Sequence, residues 1–240
     1  PPRRADQWRI PPVRTRDGRW RGLGPVLIAC TKSDAREGAA PANPRRSGDE
    51  AAPRFNHAGH IIRLDEADGD CGAERFSWDI FAMGGDPDAE MTRLRNGEQG
   101  AVGVDFNGAP TISGARFACP DNIFIDADHR IWVATDGNEA VFADCNDQIV
   151  AAPLEAEGPR PMKRFLVGPV GAEICGPLMA PDERAFFCSI QHPGEADRAG
   201  RVFSRSRWEG AACPSTFPDG GWPRHAVIVV TRDDGGRIGD

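Results

Sequence analysis

The residues best able to do chemistry are three acids, Asp121, Asp136 and Glu173, and two amides, Asn122 and Asn138. Each stands near a proline or glycine at the end of an apolar run. Carboxylate and amide oxygens converging from separate strands bind hard cations such as Ca²⁺. The competing reading is that Asp and Asn in Pro-Asp and Asp-Gly pairs simply make turns. Glu173 is least explained by a turn, because it lies in an apolar setting between Val170 and Ile174. A buried carboxylate needs a cation or a strong set of donors, so Glu173 is read either as a metal ligand or as the partner of an arginine. His60 and His192 are further candidates, each near a strand end, where hydrogen-bonded structure competes with metal ligation. Cys119 and Cys175 stand beside the candidate acids, either as thiolate ligands to iron or as inert thiols.

Alternating strands have to position these groups. Residues 119–138 hold two apolar alternating runs around an Asp/His turn, and residues 176–192 repeat the pattern with Pro-Asp-Glu-Arg at the turn. Both are hairpin signatures. Their separation of roughly 50 residues fits a repeat of small antiparallel sheets, the period of β-propeller blades. A further hairpin is expected over 59–83, and strands over 25–31, 140–143, 148–154 and 162–167, with a final buried strand over 226–231. The loop over 32–56 exceeds the length of a mere connector. Residues 1–25 show no sustained period and are expected to be poorly structured. The expected organisation is therefore all-β: an incomplete β-propeller over 26–240, made of the C-terminal blades of a larger one.

Gly 28 and Pro 21 in 240 residues punctuate many short strands and argue against long helices. No apolar run approaches the roughly 20 residues of a membrane span. The net charge of −7 disfavours nucleic acid as a partner, since phosphate backbones call for a basic face. Seven cysteines at irregular spacing form neither a zinc motif nor a disulfide framework. No nucleophile elbow, phosphate-cradling glycine loop or His-Glu zinc helix is present. The chain begins Pro1-Pro2 without an initiator Met, so any signal peptide lies outside it.

In order along the chain, 117–138, the stretch Gly168-Pro169-Val170-Gly171-Ala172-Glu173-Ile174-Cys175-Gly176-Pro177, then Ser189-Ile190-Gln191-His192-Pro193-Gly194-Glu195 and the ending over 226–239 resemble the PhoX-type alkaline phosphatase family. Phe76-Ser77-Trp78-Asp79 with Gly85-Asp86-Pro87, and Ala42-Asn43-Pro44-Arg45 with Gly59-His60-Ile61, fit it too. The resemblance implies a β-propeller phosphatase that hydrolyses small phosphomonoesters for phosphate acquisition. It further implies export by the twin-arginine (Tat) route to the periplasm or cell surface, a monomer when full length, and a cofactor cluster of Ca²⁺ and Fe³⁺. Within this sequence the implied metal role falls first on Asp121 and Glu173, then on Asp136 and Asn122. Where the family carries an Arg-Pro-Glu-Trp stretch, this chain has Thr15-Arg16-Asp17-Gly18-Arg19-Trp20, without the glutamate. The family's cysteine ligand belongs to an earlier region that has no counterpart here. The chain is therefore expected to hold part of the metal cluster and to be inactive alone. Pro120-Asp121-Asn122 with Asp136-Gly137-Asn138 also resembles the calcium-dependent sugar lactonases, and a non-enzymatic propeller whose rim loops bind a partner is a third reading.

Overall fold

The structure, a computed structural model, describes residues 24–32, 58–86, 107–142, 144–195 and 215–239, together with short strands at 7–8, 13–14, 20–21 and 93–95. The expected loop over 32–56 lies almost entirely outside the described residues. So do Asn43, Thr15 to Arg19 and Cys213.

Among the described residues the strands begin with β1 (Gln7–Trp8), β2 (Val13–Arg14), β3 (Trp20–Arg21), β4 (Val26–Cys30), β5 (His60–Glu66) and β6 (Phe76–Met83). They continue with β7 (Arg93–Arg95), β8 (Asn107–Pro110), β9 (Ile112–Gly114), β10 (Pro120–Ile125) and β11 (Arg130–Thr135). The last are β12 (Gln148–Pro153), β13 (Arg160–Val167), β14 (Glu173–Met179), β15 (Ala185–Gln191) and β16 (Ala226–Thr231). Three sheets carry the architecture, in the orders β1-β4-β5-β6, β10-β11-β12-β13-β9 and β14-β15-β16. All neighbours in them are antiparallel except β13 and β9, which are parallel. The fold is all-β, and the hairpins expected over 59–83, 119–138 and 176–192 are β5-β6, β10-β11 and β14-β15.

Two expectations fail. The strand expected over 140–143 is not formed by its described part, because Asn138–Val141 is a single helical turn, α1. Asn138 is fully buried and its side chain holds surrounding backbone, which winds the chain instead of extending it. The last strand, β16, is not fully buried, since Val227 and Val229 are exposed while Ile228 and Val230 pack inward. It is an edge strand with one covered face. The segment over 1–25, which lacks a sequence period, nonetheless contributes β1 to the first sheet, paired with β4 through Gln7↔Ile28 and Trp8↔Leu27.

The sheets stack because successive side chains on a strand point to opposite faces. Ile131 and Val133 of β11 pack with Leu27, Ile61 and Phe81 of the first sheet. The intervening Trp132 and Ala134 pack with Ile174, Phe186 and Ile190 of the third. Strand β12 repeats this division, with Val150 on one side and Ile149 on the other. Trp132, Phe165 and Phe186 form an aromatic triangle between the second and third sheets, with ring centroids 4.9 to 5.1 Å apart.

A polar clamp ties the hairpin turns of these two sheets together. The Asp126 carboxylate, with its side chain wholly buried, accepts from Arg130 Nε at 2.6 Å and Trp132 Nε1 at 2.7 Å. In the third sheet's turn, Glu183 accepts from the Ala127 amide at 2.9 Å and is paired with Arg237. Arg237 also reaches Asp128, and Ile238 inserts into the core between the sheets. Removal of the Asp126 carboxylate would strand the buried Trp132 N–H and deprive Arg130 of its inner partner, although Arg130 keeps Asp128 and some access to water. The expected loss for Asp126→Ala is about 2–4 kcal/mol in urea denaturation. A loss well under 1 kcal/mol would show that this clamp does not hold the sheets.

Candidate metal centre

The first strands of the second and third sheets, β10 and β14, meet beside the end of β4. Asp121 is the second residue of β10, and Glu173 opens β14. Cys175 follows two residues later and so shares a strand face with Glu173. One carboxylate oxygen each from Asp121 and Glu173 and the sulfur of Cys175 all lie within 4.8 Å of one another. All three side chains are half-buried.

Each of the three donors is held from behind. Thr31 Oγ1, just beyond β4, donates to Asp121 Oδ1 at 3.4 Å. Its seat depends on Gly59, where φ is +67° and an added Cβ would lie 2.1 Å from the Thr31 carbonyl oxygen. Asn122 Nδ2 donates to Asp121 Oδ2 at 3.0 Å, while Asn122 Oδ1 accepts the Gly176 amide at 2.7 Å and so ties β10 to β14. His192 Nε2 lies 3.2 Å from Glu173 Oε2, and its Nδ1 lies 2.9 Å from Glu195 Oε2. The Cys175 thiol donates to Glu173 Oε1 at 2.7 Å and receives Gln191 Nε2 at 2.5 Å. Glu139, in α1, accepts the Gly171 amide at 3.0 Å and anchors the loop that delivers Glu173.

The electrostatics follow from this packing. Burial first, then the hydrogen bond to Glu173, pushes the Cys175 thiol well above its ordinary range. For His192, burial opposes the charged ring, but the hydrogen bond to Glu173 and the charges of Glu195 and Glu173 outweigh it and raise its pKa. Without a counter-charge, two carboxylates this close repel each other and any phosphate that approaches. The oxygen donors thus fit a hard cation, and the sulfur fits a softer one.

A family profile described as alkaline phosphatase PhoX matches residues 13–194. The chain belongs to the PhoX alkaline phosphatase family. Among solved structures, Pseudomonas fluorescens PhoX in complex with vanadate, a transition state analogue, is similar at 26% identity and a TM-score of 0.56. That similarity covers 94% of this chain and 33% of the Pseudomonas PhoX chain, so the chain spans a third of that relative's length. No curated protein matches. The PhoX match takes in residues 13–25, which include the stretch where this chain lacks the glutamate of the family's Arg-Pro-Glu-Trp run.

Of the residues singled out in the sequence, the fold brings Asp121, Glu173 and Cys175 together, sets His192 beside them, and leaves Asp136, Asn138, Cys119 and His60 elsewhere. Asp136, at the end of β11, is not part of the group. Its amide donates to the Cys119 carbonyl at 3.0 Å. Asn138 is buried, its Oδ1 accepting from Ala118 N and its Nδ2 donating to the Asn146 carbonyl. Cys119 is buried as well, its sulfur 3.6 Å from the Gly137 carbonyl. His60 is buried within β5. Asn122 is adjacent to the group, but both of its polar atoms are engaged in positioning Asp121 and β14. Among the described residues Glu173 is met by His192 and Cys175, not by the arginine that was one of its two readings from sequence.

The turn after β11 is built on another acid, Asp147, which sequence reasoning passed over. It accepts from Thr135 Oγ1 at 2.5 Å and from the amides of Gly137 and Asn138 at 2.9 Å. Burial pushes its carboxyl up from 3.8 to about 6, against those three donors. Between these values the folded protein holds a proton that the unfolded chain has released. The stability contributed by Asp147 is therefore full below about pH 4 and is lost as pH rises through about 6. The stability of the wild type relative to Asp147→Asn, measured by urea denaturation, should fall between pH 4 and pH 7. A rise over that interval would contradict the burial argument.

Proposed function

We propose that this chain contributes metal-binding residues to a PhoX-type phosphatase that hydrolyses small phosphomonoesters. The observation that carries this reading is the convergence of Asp121 and Glu173, from different sheets, on one point in a chain of the PhoX family. The three stacked sheets fit consecutive propeller blades, and β10 and β14, as first strands, fit the innermost position, where blades line a central channel.

Asp121 and Glu173 are the groups that would hold the cations, for which Ca²⁺ and Fe³⁺ suit the oxygen donors. Bound there, a cation supplies Lewis-acid binding of phosphoryl oxygens and stabilises the charge that develops as the alkoxide leaves. The chain's own residues supply the preorganisation. Thr31 and Asn122 fix the Asp121 carboxylate, and His192, steadied by Glu195, fixes that of Glu173. Burial opposes the charged form of His192, while its bond to Glu173 and the charges of Glu195 and Glu173 raise its pKa and favour the charged ring.

Among the described residues two carboxylates and a thiol are too few groups for a multi-ion cluster, so turnover is expected to call for residues equivalent to others of the Pseudomonas protein. Periplasmic or extracellular placement and a monomeric full-length form accord with the family. Among the described residues no helix is long and apolar enough to cross a membrane.

The test is p-nitrophenyl phosphate hydrolysis with Ca²⁺ and Fe³⁺ supplied. The chain alone should show little or no turnover. A chimera carrying it in place of the matching third of Pseudomonas PhoX should hydrolyse the ester, and Glu173→Gln should reduce that rate about 100-fold or more. A folded chimera whose activity is indifferent to Glu173→Gln would refute the assignment.

A further inference from the structure

We propose that β16 is a self-pairing edge, through which two copies of this chain join antiparallel about a twofold axis at Val229, so that their third sheets become one continuous sheet. The inference concerns this chain by itself and does not rest on the metal-site reading. In a full-length form, a strand of the same chain laid on this edge would keep the protein monomeric.

The edge is open and undefended. β16 ends the order β14-β15-β16, and among the described residues it pairs with β15 alone. Natural edge strands repel a second chain with charges, prolines or bulges. Ala226–Thr231 holds no charged residue and no proline, and it follows β15 without a shift of register. Val227 is 69% and Val229 53% exposed. Val229 lies opposite Phe187, and Phe187 opposite Leu178, which is itself exposed. An apolar row thus crosses the sheet and runs out at this edge.

Charge at the two ends of the strand selects a second copy as its partner. Arg224 and His225 precede β16, Asp233 and Asp234 follow it, and all four are exposed. An antiparallel copy sets the basic end of one strand beside the acidic end of the other, and the twofold axis repeats the contact. The same charges fix the register. Directly opposed residues share a sheet face, so outward Val227 and Val229 have to meet outward residues, which puts the axis at a residue and not between two. With the axis at Val229, Val227 meets Thr231, Ile228 meets Val230, and Arg224 and His225 come alongside Asp234 and Asp233. With the axis at Ile228, Arg224 would meet Arg232 instead. Within one copy Arg224 pairs with Asp219 and Asp234 with Arg232, but these are exposed pairs that hold their members weakly. Assembly stops at two copies, because β14, on the far side of the sheet, lies against β10 and β11 and is tied to Asn122 through the Gly176 amide.

Sedimentation equilibrium of the whole chain tests this. Wild type should fit twice the chain mass, fall toward one chain mass on dilution, and dissociate more readily in high salt. Val229→Lys sets two ammonium groups against each other at the axis and should give a monomer with unchanged far-ultraviolet circular dichroism. Asp234→Arg confronts Arg224 and should raise the dissociation constant about tenfold or more, and Arg224→Asp added to it should recover most of that loss. Should Val229→Lys disturb folding, the charge variants, both at exposed positions, decide the matter. A wild type that stays monomeric at high concentration would overturn the proposal and leave the edge to a strand of other origin. An open series of larger species, a dimer indifferent to folded Val229→Lys, or a charge loss that the double exchange fails to recover would overturn it too.

Discussion

Strand β11 is buried on both faces, and the arrangement of the described residues depends on that constraint. Its side chains alternate between two cores, with Ile131 and Val133 toward the first sheet and Trp132 and Ala134 toward the third. A shift of one residue would exchange the two sets, placing Trp132 where Val133 now fits and leaving a void opposite Phe186. The register of β11 is therefore set by volume on both sides. Through β10, paired to it at Ile123↔Val133 and Ile125↔Ile131, the same register decides where Asp121 lies. The meeting of Asp121 with Glu173 is thus an indirect product of hydrophobic packing several residues away.

Polar groups carry out the finer placement. The clamp of Asp126, Arg130, Glu183 and Arg237 joins the turns of the second and third sheets, while Asn122 and Gly176 join their first strands. A buried ion pair contributes little net stability against a well-packed apolar alternative, but its directionality permits one relative placement of two sheets and penalises others. In a stack held mostly by non-directional burial, such contacts decide whether Asp121 and Glu173 meet within ion-binding reach or pass a few ångströms apart.

The acidic group is costly to assemble without a cation, because repulsion between two half-buried carboxylates opposes it. His192 and the Cys175 thiol both bond to Glu173 and offset part of that repulsion.

Much of this was legible in the sequence, because strand periodicity and turn chemistry are local. The alternation around Asp126 to His129 and around Pro181 to Arg184 marks two hairpins, and the uncommon setting of Glu173 marks it as more than a turn residue. The family resemblance, carried by runs such as Gly171-Ala172-Glu173 and Gln191-His192-Pro193-Gly194, was equally present in the order of the residues. Other features lay beyond local reading. Asn138 and Asp121 occupy similar Pro- or Gly-flanked contexts, yet one is a buried structural amide and the other a donor at the site, because only packing decides which way a strand end faces. Asp147 and Glu183 carry no local mark of their roles, since Asp147 meets backbone and a hydroxyl 9 to 12 residues back in the chain and Glu183 meets residues of another turn and of the C-terminal segment. Sequence determined which segments extend, where they turn and which family they join; tertiary structure alone decided which acids share an ion's reach, because that distance is fixed by how whole sheets pack.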